Sequence, residues 1–451
     1  MSSRLSLASA EGGPDEPSPV PLLPVPPSAA DGASVADVER WVAEHLGDLT
    51  LEGPAGVRAG GFDGGQAAAD AALATLDIDS YARTRSTVLP KERRGSSRLS
   101  PYIRYGLLPL PRVWAAVQDA PSFDRKRFRD ELLWQEYARH LYSRLGRRLR
   151  SSLRNELSHV GGRPPTPPAG IHSLALAEAP TEGRETWDRP AWDRSMACLD
   201  FVVGELHDEG WLVNQTRMWL ASQWSVRAGA DWREGEQEMF VHLLDGSRAA
   251  NGLGWQWTTG TGSSKAYGFS RWQVQKRAPQ LCRRCPLRDA CPIEEWPEVR
   301  LERVPDRADL TKGPVPAGPE AVEGEGGEVV WLTAESLGDA DPALAHDETR
   351  PAVFVFDEPL LAQLRLSGKR LVFLAQTLGD LAARRPLEVR RGDVVEELRG
   401  RRLAATWTPV PGWHRRAAAL QPVEIHPWLW LARPGTTSVG SYTAWRRDLK
   451  V

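Results

Sequence analysis

An α + α/β chain, all-helical first and a doubly wound, Rossmann-like parallel sheet second, is predicted by three observations. Apolar residues recur at helical spacing from Val38 to past Leu244, with breaks at Gly, Asn and Pro. From Val329 onward, short apolar runs (EVVWLT, AVFVFD) alternate with helical stretches such as LSGKRLVFLAQTLGDLAARR, the pattern of strands joined by crossover helices. At 451 residues the chain is also too long for one ordinary core. Composition sets the boundaries: a Pro-, Ser- and Ala-rich disordered tail over 1–35, a helical domain over 36–300, a linker over 301–327, and an α/β domain over 328–451 with an aromatic, irregular end. That end is expected to dock onto the first domain.

Taken in order, Val38, Trp41 and Val42, then Ala68, Ala71, Leu73 and Leu76, predict two helices around a Gly-rich turn. Gly95 to Pro101 sets the hydroxyls of Ser96, Ser97 and Ser100 ahead of a helix start. Such a turn can hold a phosphate on free N–H groups, though on local sequence alone ordinary Ser capping with Pro in the first turn is the better account. Phe128 to Leu145 is an amphipathic helix with Glu131 and Trp134 on one face. The Arg and Lys residues flanking it form either a phosphate-binding rim or a plain wet surface.

Ser151 to Glu185 reads as a long surface loop, and Trp187 to Trp224 as two helices around Gly210-Trp211. The second of these carries Asn214, Arg217 and Met218 at helical spacing. Met218 also reads as a core gap-filler. Asp231 to Trp257 follows, packing Trp232, Trp255 and Trp257 near Asp245 and Asn251, with Arg217 able to pair with Asp245. Any one of these Trp is explained as core, but the constellation beside a Gly-rich break is not, because a buried indole N–H needs a partner.

Composition narrows the function classes. A net charge of −2 excludes a basic nucleic-acid coat, so any nucleic-acid contact would have to come from a local patch. No stretch reaches the roughly 18 consecutive apolar residues of a membrane span, and the N-terminus lacks the apolar core of a secretory signal. A cytoplasmic, monomeric protein is expected. Cysteines are few: Cys282 and Cys285 form a CxxC, Cys291 follows six residues later, and Cys198 is the fourth. Four thiolates, three of them clustered among prolines, suit a soft metal, either an iron–sulfur cluster or zinc. Inert cysteines are the other account.

With these residues in place, the chain resembles the photolyase/cryptochrome family from about residue 55 to 447. GSSRLSPYIRYG, ELLWQEYARH, GWLVNQTRM, DWREGE and LDGSRAANGLGWQW stand in the family's order. The resemblance implies a helical domain holding bent FAD, and a second domain of the antenna-binding type, here following the flavin domain in permuted order. It implies that Tyr81, Ser96, Ser97, Arg98, Leu99 and Ser100 hold the phosphates, and that Arg217, Asp245 and Asn251 sit on the flavin ring. Glu131, Trp134, Asn214, Met218 and Trp257 match the positions where cyclobutane-dimer photolyases contact the flipped lesion, in keeping with aromatic stacking and polar readout of an extruded base. No His stands at 214 or 218, where (6-4) photolyases carry one. Trp255 and Trp232 match the electron-hopping chain, with Trp187 or Trp192 as its third member.

The family's Arg after the helix Trp is Gln135 here, and the second acid of its flavin motif is Ser247. Cys198 with Cys282, Cys285 and Cys291 resembles the set that holds a [4Fe–4S] cluster in the iron–sulfur bacterial branch. An antenna chromophore is left open, because the usual charged motif is much reduced. The implied function is light-driven repair of pyrimidine dimers in UV-damaged DNA. A cryptochrome-like photosensor without repair activity is the alternative.

Overall fold

The computed structural model describes residues 22–159, 192–304, 310–311, 313–435, 438–447 and 449. Ten of its helices frame the argument: α1 (Val35–Leu46), α2 (Gln66–Ala74), α3 (Ser100–Arg104), α4 (Ser122–Leu145), α5 (Ala197–Glu209), α6 (Asn214–Ala221), α7 (Trp232–His242), α8 (Arg248–Thr259), α9 (Arg271–Arg277) and α10 (Pro279–Arg284). Their ends follow local chemistry. Ser34 and Asp37 close a capping box on α1, Asp231 caps α7, and Gly210 and Gly260 end α5 and α8 at positive φ. After α6 the chain widens into a π-helical segment, Ser222–Arg227, which carries Trp224.

The second part is a six-stranded sheet of β3 (Glu323–Gly324), β4 (Val329–Leu332), β5 (Ala352–Asp357), β6 (Leu387–Gly392), β7 (Leu403–Thr406) and β8 (Glu424–His426). Its order is β3-β8-β7-β4-β5-β6, parallel throughout except for the antiparallel edge strand β3. Every residue of β4 and β7 is buried, as expected for strands covered on both faces. The winding reverses between β4 and β7, the doubly wound pattern that the alternation predicts. Helix α11 (Gly368–Ala382) covers one face.

Three sequence expectations change. The segment 22–34, read as part of a disordered tail, lies along the sheet: Leu23 N donates to Val389 O at 3.0 Å, and Trp41 Nε1 donates to Pro24 O at 3.2 Å. A Pro-rich strip serves there through its carbonyls, which composition does not disclose. Helix α1 packs on α11 and shares a core with β4 and β5, through Val38, Trp41, Val42 and Leu46. An amphipathic pattern tells which face is apolar but not what it meets. Finally, the stretches read as loop and linker contain strands. Asn155–His159 (β1) pairs antiparallel with Val299–Arg303 (β2), and β3 pairs with β8.

The aromatic end does dock on the helical part. Tyr442–Arg447 (α12) lays Trp445 fully buried against α4, with its Nε1 donating to His140 Nδ1 at 3.0 Å. Tyr137 OH donates to Val439 O at 2.8 Å beside it.

Candidate cofactor, substrate and metal sites

Helix α8 is the centre of the site, packed against α4, α6 and α7. Asn251, buried in its first turn, donates from Nδ2 to Glu236 Oε1 at 2.9 Å and to Glu236 O at 3.2 Å. That leaves its carbonyl oxygen as the acceptor for a ligand. Arg248 pairs with the other Glu236 oxygen at 2.6 Å. On the facing side, Arg217 Nη2 meets Asp245 Oδ2 at 2.7 Å while its Nε donates to Leu212 O at 3.0 Å.

The remaining polar atoms point to a ligand. Asp245 Oδ1, Ser96 Oγ and Trp255 Nε1 are buried without a hydrogen-bond partner, a costly state unless something else supplies the bond. Gly252 is buried, yet a Cβ on it would meet no atom within 4 Å, so a hollow opens beside Asn251. In the phosphate segment, Trp211 Nε1 donates to Ser100 Oγ at 3.0 Å. Arg98, at φ +56°, stacks on Phe62 and Trp211, Leu99 is buried at the N-cap of α3, and Ser97 is half-buried. Tyr81 is buried edge-on to Phe128.

The five lesion-pocket candidates come from three neighbouring helices. Glu131 and Trp134 stand on α4, Asn214 and Met218 on α6, and Trp257 on α8 between them. Asn214 is exposed, Met218 half-buried, and Trp257 is 42% exposed, leaning on Tyr267, whose hydroxyl accepts from Gln215 at 2.7 Å. Glu131 pairs with Arg85, but burial outweighs that cation and pushes its carboxyl above the ordinary range. Trp134 is half-buried, one face stacked on Tyr442 at 3.8 Å and 9°. Only its other face is left for a ligand.

Trp255 is 2% exposed and Trp232 5%. Trp187 lies outside the described residues. Trp224, which the sequence did not single out, stands close to Trp255: at Gly235 an added Cβ would come within 2.3 Å of Trp255 Cη2 and 2.8 Å of Trp224 Cδ1. Trp192 follows, its ring 5.0 Å from that of Trp224. Glu236 and Arg248 were missed too, because a Glu on a helix reads as a wet face.

Cys198, Cys282, Cys285 and Cys291 line one pocket with Met196, Ile293 and Arg271. Burial, then the facing Cys282 and Cys285, pushes the Cys198 thiol up to about 12. Among the described residues no three of these sulfurs gather within 4.8 Å of one another. Zinc, with Zn–S bonds of about 2.3 Å, needs sulfurs about 3.8 Å apart. The donor set, four cysteine thiolates, is the one that also holds an iron–sulfur cluster.

Residues 128–280 match the family described as the FAD binding domain of DNA photolyase. A deoxyribodipyrimidine photo-lyase of Synechococcus sp. is 28% identical over 179 residues, 37% of this chain and 33% of that protein. One from Thermus thermophilus is 31% identical over 208 residues, 44% of each. The matched stretch thus spans less than half the length of these relatives. A solved bacterial class III photolyase from Agrobacterium tumefaciens aligns at a TM-score of 0.36, with 23% identity over 48% of this chain and 43% of the other.

Proposed function

We propose, from the match of residues 128–280 to the FAD binding domain of DNA photolyase and the likeness to deoxyribodipyrimidine photo-lyases, that this chain is a member of the photolyase/cryptochrome family and a light-driven, FAD-dependent enzyme splitting cyclobutane pyrimidine dimers in UV-damaged DNA. The observations that carry the reading are the open space beside buried Gly252 and, on the same helix and the loop before it, the buried Trp255 Nε1 and Asp245 Oδ1 left without a hydrogen-bond partner. FAD, once bound in reduced form, would supply light-driven, reversible one-electron chemistry with no net redox change, and the chain's own residues would supply its placement. The residues position and exclude water. Asp245 and Arg217 fix the ring's polar edge, Asn251 offers its carbonyl oxygen, and Ser96 to Ser100 hold the phosphates. Above the ring, Trp257 and the free face of Trp134 stack on the extruded bases, Asn214 reads a base edge, and Met218 packs against the rest. Glu131 holds a proton more readily than an exposed Glu, which suits donation to a base carbonyl.

The helical part precedes the sheet in this chain, and we read that order as a permutation of the family's. Trp255, Trp224 and Trp192 form the path for photoreduction, with Trp232 a second exit. The four Cys hold a [4Fe–4S] cluster; anaerobically purified protein without iron would remove that assignment.

Repair itself is tested by illuminating the protein with a dimer-containing oligonucleotide under blue light. Dimers are expected to disappear only in the light, and Glu131→Ala to slow their loss by about tenfold or more while FAD stays bound. Flavin photoreduction without dimer loss would make the chain a photosensor instead.

A further inference from the structure

Apart from the flavin hollow and the cysteine cavity, the ends of α5 and α7 bring three ligand-type side chains together. His207, in the last turn of α5, faces His242, the last residue of α7, with ring centroids 4.4 Å apart. Glu238 stands one turn before His242 on the same face, its Oε1 3.3 Å from His242 Nε2. One donor atom from each of the three lies within 4.8 Å of the other two. Among the described residues, no other group of His, Cys, Asp and Glu meets that condition.

A second observation is independent of the clustering. His242 is only 6% exposed, and its Nδ1 has no hydrogen-bond partner. A buried imidazole ordinarily has both nitrogens satisfied, one as donor and one as acceptor. With Nε2 turned to Glu238, Nδ1 is left over whichever tautomer is present. His207, by contrast, is open to solvent, so an ion has a way in.

We propose that His207, Glu238 and His242 bind a divalent transition ion of the zinc, cobalt or nickel class, with water completing the shell. Two imidazoles and one carboxylate make a borderline donor set, whereas magnesium and calcium take oxygen. A tetrahedral ion with bonds of about 2.0–2.1 Å holds neighbouring donors about 3.3 Å apart. Glu238 and His242 already stand at that separation, and the exposed His207 need only rotate. The cluster sits at the seam with the sheet, where Ser367 N donates to Val241 O at 3.1 Å. The side chain of Lys369 lies against Gly210 there, as does the His242 carbonyl. The ion ties α5 to α7 at this seam. It is separate from the flavin reading and does not depend on it.

Cobalt(II) separates this site from the cysteines, because thiolate ligation gives intense near-ultraviolet charge transfer and nitrogen or oxygen ligation only weak visible bands. Full-length protein freed of metal with EDTA is titrated with cobalt(II). About one equivalent is expected to bind with visible bands of the nitrogen and oxygen type. His207→Ala, at an exposed position, is expected to abolish those bands with the far-ultraviolet circular dichroism unchanged. Glu238→Gln is expected to weaken binding by about tenfold or more. Absence of such bands in the wild type, or their persistence in His207→Ala, overturns the proposal.

Discussion

Asp245 shows how one buried carboxylate can serve fold and ligand together. One of its oxygens is held by Arg217 at 2.7 Å, and the other is buried with no partner. Asp245→Asn leaves Arg217 half-buried without its counter-charge and removes a charge-assisted acceptor from the hollow. A hydrogen bond to a charged group is worth about 1.5–3 kcal/mol, so FAD affinity is expected to fall by roughly ten- to a hundredfold, as read by flavin fluorescence on dilution. Retention of full affinity would mean that Asp245 faces no flavin. Asp245, Arg217 and Asn251 were legible because each sits in a short motif with an unusual residue pattern. Glu236 and Arg248 were not. Only the fold reveals that Glu236 is buried and that its carboxylate orients Asn251. Trp224 was passed over for a related reason: an indole in a helical run reads as core until its neighbours are known.

Helices and strands divide the same way. The helices α4 to α7 follow from apolar spacing and caps, and β4 to β6 from alternation with crossover helices, whereas α8 runs straight through the stretch that reads as a Gly-rich break, and β7 and β8 were not foreseen. The Pro-rich strip at 22–34 and strands β1 to β3 escaped, since each depends on a partner more than a hundred residues away in sequence. The docking of the aromatic C-terminal end was anticipated, but the end reads as irregular, so neither the helix α12 nor its seat on Trp134 was foreseen. Strand β8 carries a pH-sensitive tie. Although burial works against ionisation, Arg350 at 2.8 Å, His426 at 2.6 Å and Gly327 N hold the Glu424 carboxyl at about 2 against an ordinary 4.5. A carboxyl depressed in the folded state contributes stability above its unfolded pKa and loses it as pH falls toward the folded one. The urea midpoint of wild type over Glu424→Gln is therefore widest at neutral pH and narrows between about pH 4.5 and 2. The full gap is at most about 3 kcal/mol. A gap constant with pH would contradict the assignment.

The described residues form four hydrophobic clusters, and the two largest meet at a seam. One core is Trp-rich and surrounds Trp219, Trp224 and Trp255; the other joins the sheet to α1 and α11. Buried Arg370 of α11 crosses the seam, donating to Phe240 O at 2.5 Å and Gly246 O at 3.1 Å. The sheet thereby braces the loop that carries Asp245. No described helix is long and apolar enough to cross a membrane. The account as a whole rests on the hollow beside Asn251, and Gly252 is the residue that leaves it open.

Gly252→Leu puts a side chain into that space, where a Cβ meets no neighbouring atom within 4 Å. The most direct measurement is the visible absorption of purified wild type and Gly252→Leu, with circular dichroism as the fold control. The wild type should carry about one flavin per chain, and the folded variant almost none. A Gly252→Leu protein with full flavin absorbance would show that the cofactor, if it binds at all, binds elsewhere.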